Sequence, residues 1–139
     1  MRMRPLPIVL LGLLAVAVLA PSAAAEKPHF EVAVATNSRD SLDEHSVLGI
    51  ETPKVYVVYM LDAAPRGARL KAVWWVEKAE GLTANTKIDQ AETQARGGAY
   101  MGAFSYPRPA KGWPVGSYRV DLFVEDRLDK SVHFEIARK

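Results

Sequence analysis

A chain of 139 residues with 18 basic and 16 acidic side chains and no cysteine has room for one hydrophobic core. Without a thiol it has no cysteine nucleophile, cysteine-ligated zinc, iron–sulfur cluster or thiolate copper site. The near balance of charge also argues against nucleic acid as a partner, since that needs clustered positive surface.

The first element is an export signal. Arg2 and Arg4 precede an apolar run from Ile8 to Ala20, broken only by Gly12. Pro21 and Ser22 end the run, and Ala23-Ala24-Ala25 offers the small side chains that a signal peptidase accepts. A spanning helix needs about 20 apolar residues, and this run is shorter. The expectation is therefore a cleaved signal peptide over residues 1–25 and a single domain over residues 26–139, with no permanent membrane span. Removing Arg2 and Arg4 with the leader leaves 16 charges of each sign on 114 residues. An exported, periplasmic or secreted domain of this kind, lacking disulfides, must hold together through its apolar core.

Strand signals dominate the mature chain. Phe30, Val32 and Val34 alternate with Glu31, Ala33 and Ala35, predicting a half-buried strand with the first set inward. Residues 37–53 are polar and read as a long loop, with Val47, Leu48 and Ile50 as a short strand or turn inside it. Lys54 to Leu61 is β-branched and aromatic on both parities, as in a central strand. Asp62 to Gly67 reads as a turn. Leu70, Ala72, Trp74 and Val76 then alternate with Lys71, Val73, Trp75 and Glu77. In Thr86–Ala95, Ile88 is the only large apolar residue, which suits a polar edge strand, although Ala91 and Ala95 would also suit a helical turn. Another alternating segment carries Tyr100, Gly102, Phe104 and Tyr106, and a proline-rich loop runs from Pro107 to Gly116. Tyr118, Val120, Leu122 and Val124 form one final strand and Val132, Phe134 and Ile136 the other, with a hairpin over Glu125–Lys130. About seven short strands at this spacing predict an all-β antiparallel sandwich.

Two signals refine the fold class. Trp74 sits where an immunoglobulin-like sandwich packs a tryptophan across its core. Gly116-Ser117-Tyr118-Arg119-Val120 places a tyrosine near a strand start, as in a tyrosine corner. The segment from Gly112 to Leu122, together with Lys71-Ala72-Val73-Trp74, resembles small bacterial exported immunoglobulin-like domains. The resemblance covers mainly the last third of the chain and lacks the two cysteines of antibody domains. It implies a binding or accessory domain with no assigned chemistry, because fold does not carry function.

Candidate chemistry is thin. Asp40, Asp43, Glu44 and His45 are the densest group of metal-ligating side chains, but the glycine and alternating acids of a calcium loop are missing. A metal carrier or small enzyme using that segment is the alternative reading. His29, His45 and His133 show no ligand spacing. No Gly-x-Ser-x-Gly turn or phosphate-binding glycine loop occurs, so the expectation is a non-enzyme without a cofactor.

Apolar surface carries the leading functional expectation. With Trp74 inward, Val73 and Trp75 point outward, and Phe123 shares the outward parity of Arg119 and Asp121. If the two strands are neighbours, Trp75 and Phe123 lie close on one outer face, with Val73 and Arg119 beside them. An aromatic patch with a charged rim suits a partner from the envelope. The competing expectation is that the 37–53 loop or the Thr86–Ala95 stretch covers them. Trp113 with Arg108 is a second contact candidate, set against a plug that closes one end of the sandwich.

Overall fold

The computed structural model describes residues 28–138 together with Met3, so the signal peptide expected over residues 1–25 falls, Met3 apart, outside the described residues. Among the described residues eight strands are formed: β1 (Phe30–Thr36), β2 (Val47–Gly49), β3 (Lys54–Ala64), β4 (Arg69–Ala79), β5 (Thr86–Gln94), β6 (Gly98–Pro107), β7 (Gly116–Val124) and β8 (Arg127–Ala137). They make a three-stranded sheet, β1-β3-β6, and a five-stranded sheet, β2-β8-β7-β4-β5. Pairing is antiparallel except between β2 and β8. The extra strand relative to the expected seven is β2, the short element inside the long loop.

The alternation of β4 and β7 works as predicted. Leu70, Ala72, Trp74 and Val76 meet Tyr118, Val120, Leu122 and Val124 in one buried cluster. Opposite them, β3 supplies Val55, Val57, Tyr59 and Leu61. Trp74 bridges the sheets, with its ring 5.7 Å from Tyr106 of β6 and 6.2 Å from Phe134 of β8. Tyr118 stacks on Phe134 at 5.1 Å, and its hydroxyl donates to the Pro114 carbonyl at 2.5 Å, closing the tyrosine corner. Burial pushes that hydroxyl's pKa up to about 12, so it remains a donor at any ordinary pH.

The structure corrects two local expectations and settles a third between its alternatives. A register shift between Phe30 and Val32 reverses the parity of β1, so Ala33 and Ala35 follow Phe30 inward and Val32 is 40% exposed. An inserted residue flips every later side chain to the other face, which alternation alone does not reveal. The Asp62–Gly67 turn is shorter than expected, because β3 runs on to Ala64. For Thr86–Ala95 the polar edge strand forms, not the helical turn. Thr86–Gln94 pairs with β4 alone and forms a sheet edge, where one-sided packing tolerates its polar composition.

Val58 is fully buried although it points away from the core cluster. The loop after β1 reaches the far edge of the same sheet, where Arg39 and Asp40 share a cavity with Met101, Gly102 and Ala103. The loop then returns to β1, where the His45 N–H donates to the Ala35 carbonyl.

Two tight spots mark the five-stranded sheet. The β7–β8 turn has left-handed Glu125 and Asp126 (φ 49° and 63°) where glycine or asparagine is the usual solution. Arg69 compensates: its N–H donates to Glu125 Oε1 and its guanidinium to Asp126 Oδ2, both at 2.6 Å. At Gly116 a Cβ would lie 2.1 Å from the Lys78 carbonyl oxygen and 2.5 Å from Ala79 Cα. Neither backbone atom has a rotamer to escape into. Gly116→Ala should therefore part the ends of β4 and β7 and cost about 1–3 kcal/mol, read as a lower urea midpoint.

Candidate functional site: an apolar cavity at one end of the sandwich

The β6–β7 loop builds the site. Its prolines restrict φ, and Gly112 takes a left-handed conformation (φ 81°) as its N–H donates to the Pro109 carbonyl. This turn sends Trp113 inward. Its backbone N–H donates to the Ile50 carbonyl and its indole N–H to the Thr52 carbonyl at 2.9 Å. Trp113 is buried, 5.7 Å from Tyr106 and edge-on to Tyr118 at 5.8 Å. The expected plug is real, but it does not fill the end.

A cavity of about 320 Å³ remains beside it, walled by Val76, Ile88, Tyr106, Trp113 and Tyr118, with Leu82 and Lys111 also lining it. Four lining residues carry a polar side-chain group, and two of these groups are already used: the Trp113 indole on Thr52 and the Tyr118 hydroxyl on Pro114, beside the Tyr106 hydroxyl and the Lys111 ammonium. The rest of the side-chain lining is ring faces and aliphatic groups. Chemically the cavity accepts apolar matter, and Leu82, 47% exposed in the β4–β5 turn, continues that character to the surface.

Sequence reasoning identified Trp113 but not its companions. Two signals could have found them: Ile88 as the single large apolar residue of β5, and Leu82 in a turn otherwise made of small and polar residues. Arg108, expected beside Trp113 as a contact, serves elsewhere. Its guanidinium pairs with Glu51 at 2.9 Å and its N–H donates to the Pro53 carbonyl, tying the loop to the start of β3.

Trp75, Phe123, Val73 and Arg119 do lie on the outer parity of neighbouring strands, yet the continuous aromatic patch does not form. Register places Trp75 opposite Arg119 and Phe123 opposite Lys71, with the Val73–Asp121 row between them. Each ring is capped by a cation, Arg119 over Trp75 at 5.4 Å and Lys71 over Phe123 at 4.7 Å. Val73 is buried, and Trp75 Nε1 is a buried donor without an acceptor. The cover comes from neighbouring side chains of the sheet. Ion pairs lace the face: Arg119 meets Asp121 at 3.0 Å and Glu77 at 3.7 Å, while Glu77 also holds His133 at 2.8 Å.

Asp40, Asp43, Glu44 and His45 do not converge. Among the described residues no group of three histidine, aspartate or glutamate side chains is placed to hold a metal ion. Asp40 faces the cavity shared with Arg39 and Arg96, and the Asp43 N–H is tied to Ser41. The three histidines sit apart, His29 near Asp62 at one end and His133 on the outer sheet face.

No protein-family model matches the chain, and no curated protein matches it. Solved structures do. An immunoglobulin-like protein from Pseudomonas aeruginosa is 15% identical and superposes with a TM-score of 0.53, over 80% of this chain and 97% of its own. An alkylpurine DNA glycosylase from Pseudomonas fluorescens, solved with DNA containing an abasic site analog, is 13% identical with a TM-score of 0.52. That match covers 80% of this chain but only 30% of the glycosylase. Likeness at such identities concerns fold alone. The chain is an all-β immunoglobulin-like sandwich.

Proposed function

We propose that this chain is an exported, non-enzymatic binding module that takes an apolar group into the end cavity. The cavity itself carries the reading: three aromatic rings from three segments surround space that the core leaves open. Its volume of about 320 Å³ stands at the small end of ligand pockets, which run from about 300 to 1,000 Å³. One ring-sized group fits, whereas an extended lipid does not. The neutral charge of the exported part supports the same reading against nucleic acid as partner.

The test uses a neutral aromatic alcohol, phenylpropanol, titrated into the full chain while the three tryptophan side-chain N–H signals are followed by NMR. Trp113 should shift, and Trp75, on the outer face of the five-stranded sheet, should not. Ala110→Trp, which narrows the mouth from an exposed loop position, should abolish the shift. A Trp113 signal that ignores the alcohol rejects the cavity as a binding site.

One observation favours a second reading, a protein partner from the envelope engaging the outer sheet face. Leu128 is 54% exposed directly opposite Phe123, so the accessible apolar spot is Phe123–Leu128 and not Trp75–Phe123. A specific envelope protein whose capture is lost in Leu128→Ser and kept in Ala110→Trp would favour this face over the cavity.

A further inference from the structure

We infer that the end cavity selects a small aromatic monocarboxylate, with the ring in the cavity and the carboxylate on Lys111. This rests on the reading of the cavity as a binding site and adds the charge and class of its ligand. Lys111 is exposed and lines the apolar cavity. It also lines the adjoining cleft that contains Glu51 and Glu80. Both of those carboxylates are taken, Glu51 by Arg108 at 2.9 Å and Glu80 by Arg138 at 2.8 Å. Lys111 forms no ion pair with any described residue, in contrast to Lys71, which reaches Asp126 at 3.8 Å.

An uncommitted ammonium beside an apolar hollow complements a ligand that is apolar in body and anionic at one end. The number and type of cation narrow the class further. A lysine is a single, compact point charge with rotatable donors, and no arginine fork lines this cavity to clasp a phosphate bidentately. One negative charge is therefore matched and two are not. The small volume limits the body to one ring on a short tether. Phenylpropionate has these features, phenylpropanol lacks the charge, and phenylpropylamine reverses it.

The experiment titrates these three compounds into the full chain and into the variants Lys111→Gln and Lys111→Glu, with the Trp113 side-chain N–H as the readout. Phenylpropionate should bind about tenfold more tightly than phenylpropanol, as a charge-assisted hydrogen bond to the Lys111 ammonium allows. Lys111→Gln should remove that preference and Lys111→Glu reverse it in favour of the amine. Raised salt should weaken only the acid. If acid and alcohol bind equally and the Lys111 variants change nothing, the cavity reading stands and the carboxylate inference is overturned. If none of the three compounds moves Trp113, both fall. A short peptide with a C-terminal phenylalanine that outcompetes phenylpropionate would overturn the small-molecule assignment.

Discussion

Replacing Trp74 with alanine should remove about 3–5 kcal/mol of stability, the usual cost of truncating a buried large aromatic. The ring is 2% exposed and spans both sheets, touching Tyr106 on one side and Phe134 on the other. Its loss opens a void in the middle of the sandwich that neither sheet can close without sliding on its partner strands. Domains of this size hold only about 5–15 kcal/mol in total. The variant should therefore unfold at a much lower denaturant midpoint, or fail to accumulate folded at all. Tyr118→Phe makes the contrast. It keeps the stacked ring and loses only the hydrogen bond to Pro114, worth about 1 kcal/mol. Equilibrium urea unfolding followed by far-ultraviolet circular dichroism measures both. Equal costs for the two variants would mean that Trp74 is not the centre of the core.

Asp129→Ala should cost about 2–4 kcal/mol, which is large for one polar side chain. Asp129 is 8% exposed as a side chain and sits where β8 shifts register against β7. One carboxylate oxygen accepts from the Phe30 N–H at 2.7 Å and the other from the Arg127 guanidinium at 2.9 Å. Arg127 in turn donates to the Pro28 carbonyl at 2.7 Å. This small network pins the start of β1, in the three-stranded sheet, to the five-stranded sheet. Removing the carboxylate leaves a part-buried N–H without its acceptor and lets β1 lift, exposing Phe30 beside Tyr59. Arg127 is 40% exposed, so solvent moderates its share and holds the cost below that of a fully buried pair. Asp129→Asn keeps an acceptor oxygen and should lose about half as much. Amide hydrogen exchange distinguishes the mechanism: protection at Phe30 should fall far more than at the β4 and β7 amides. Uniform loss across both sheets would refute a local pin.

Much of the fold could be read residue by residue. Alternation in β4 and β7 named their inward faces, and the spacing around Tyr118 pointed to a corner whose hydroxyl reaches back four residues. These features are legible because they are local. Side chains alternate with period two wherever a strand is regular, and a corner needs only a few consecutive residues. β1 failed the same test because one irregular position reverses every later side chain of the strand, and no residue type announces it.

The candidate sites divide along the same line. Sequence by itself determined the one-core size, the absence of thiol chemistry, the sandwich class, and a proline-rich loop carrying a lone tryptophan. Only the tertiary structure decided that Trp75 and Phe123 face different cations four positions apart along their strands, because register depends on how two distant segments slide past each other. Likewise only the folded chain shows that Trp113 plugs one end incompletely and leaves an apolar hollow beside Leu82, Ile88 and Lys111. Such a hollow belongs to no segment. It is the space left where side chains from β4, β5, β6, β7 and two loops meet, and its shape exists only once all of them are in place.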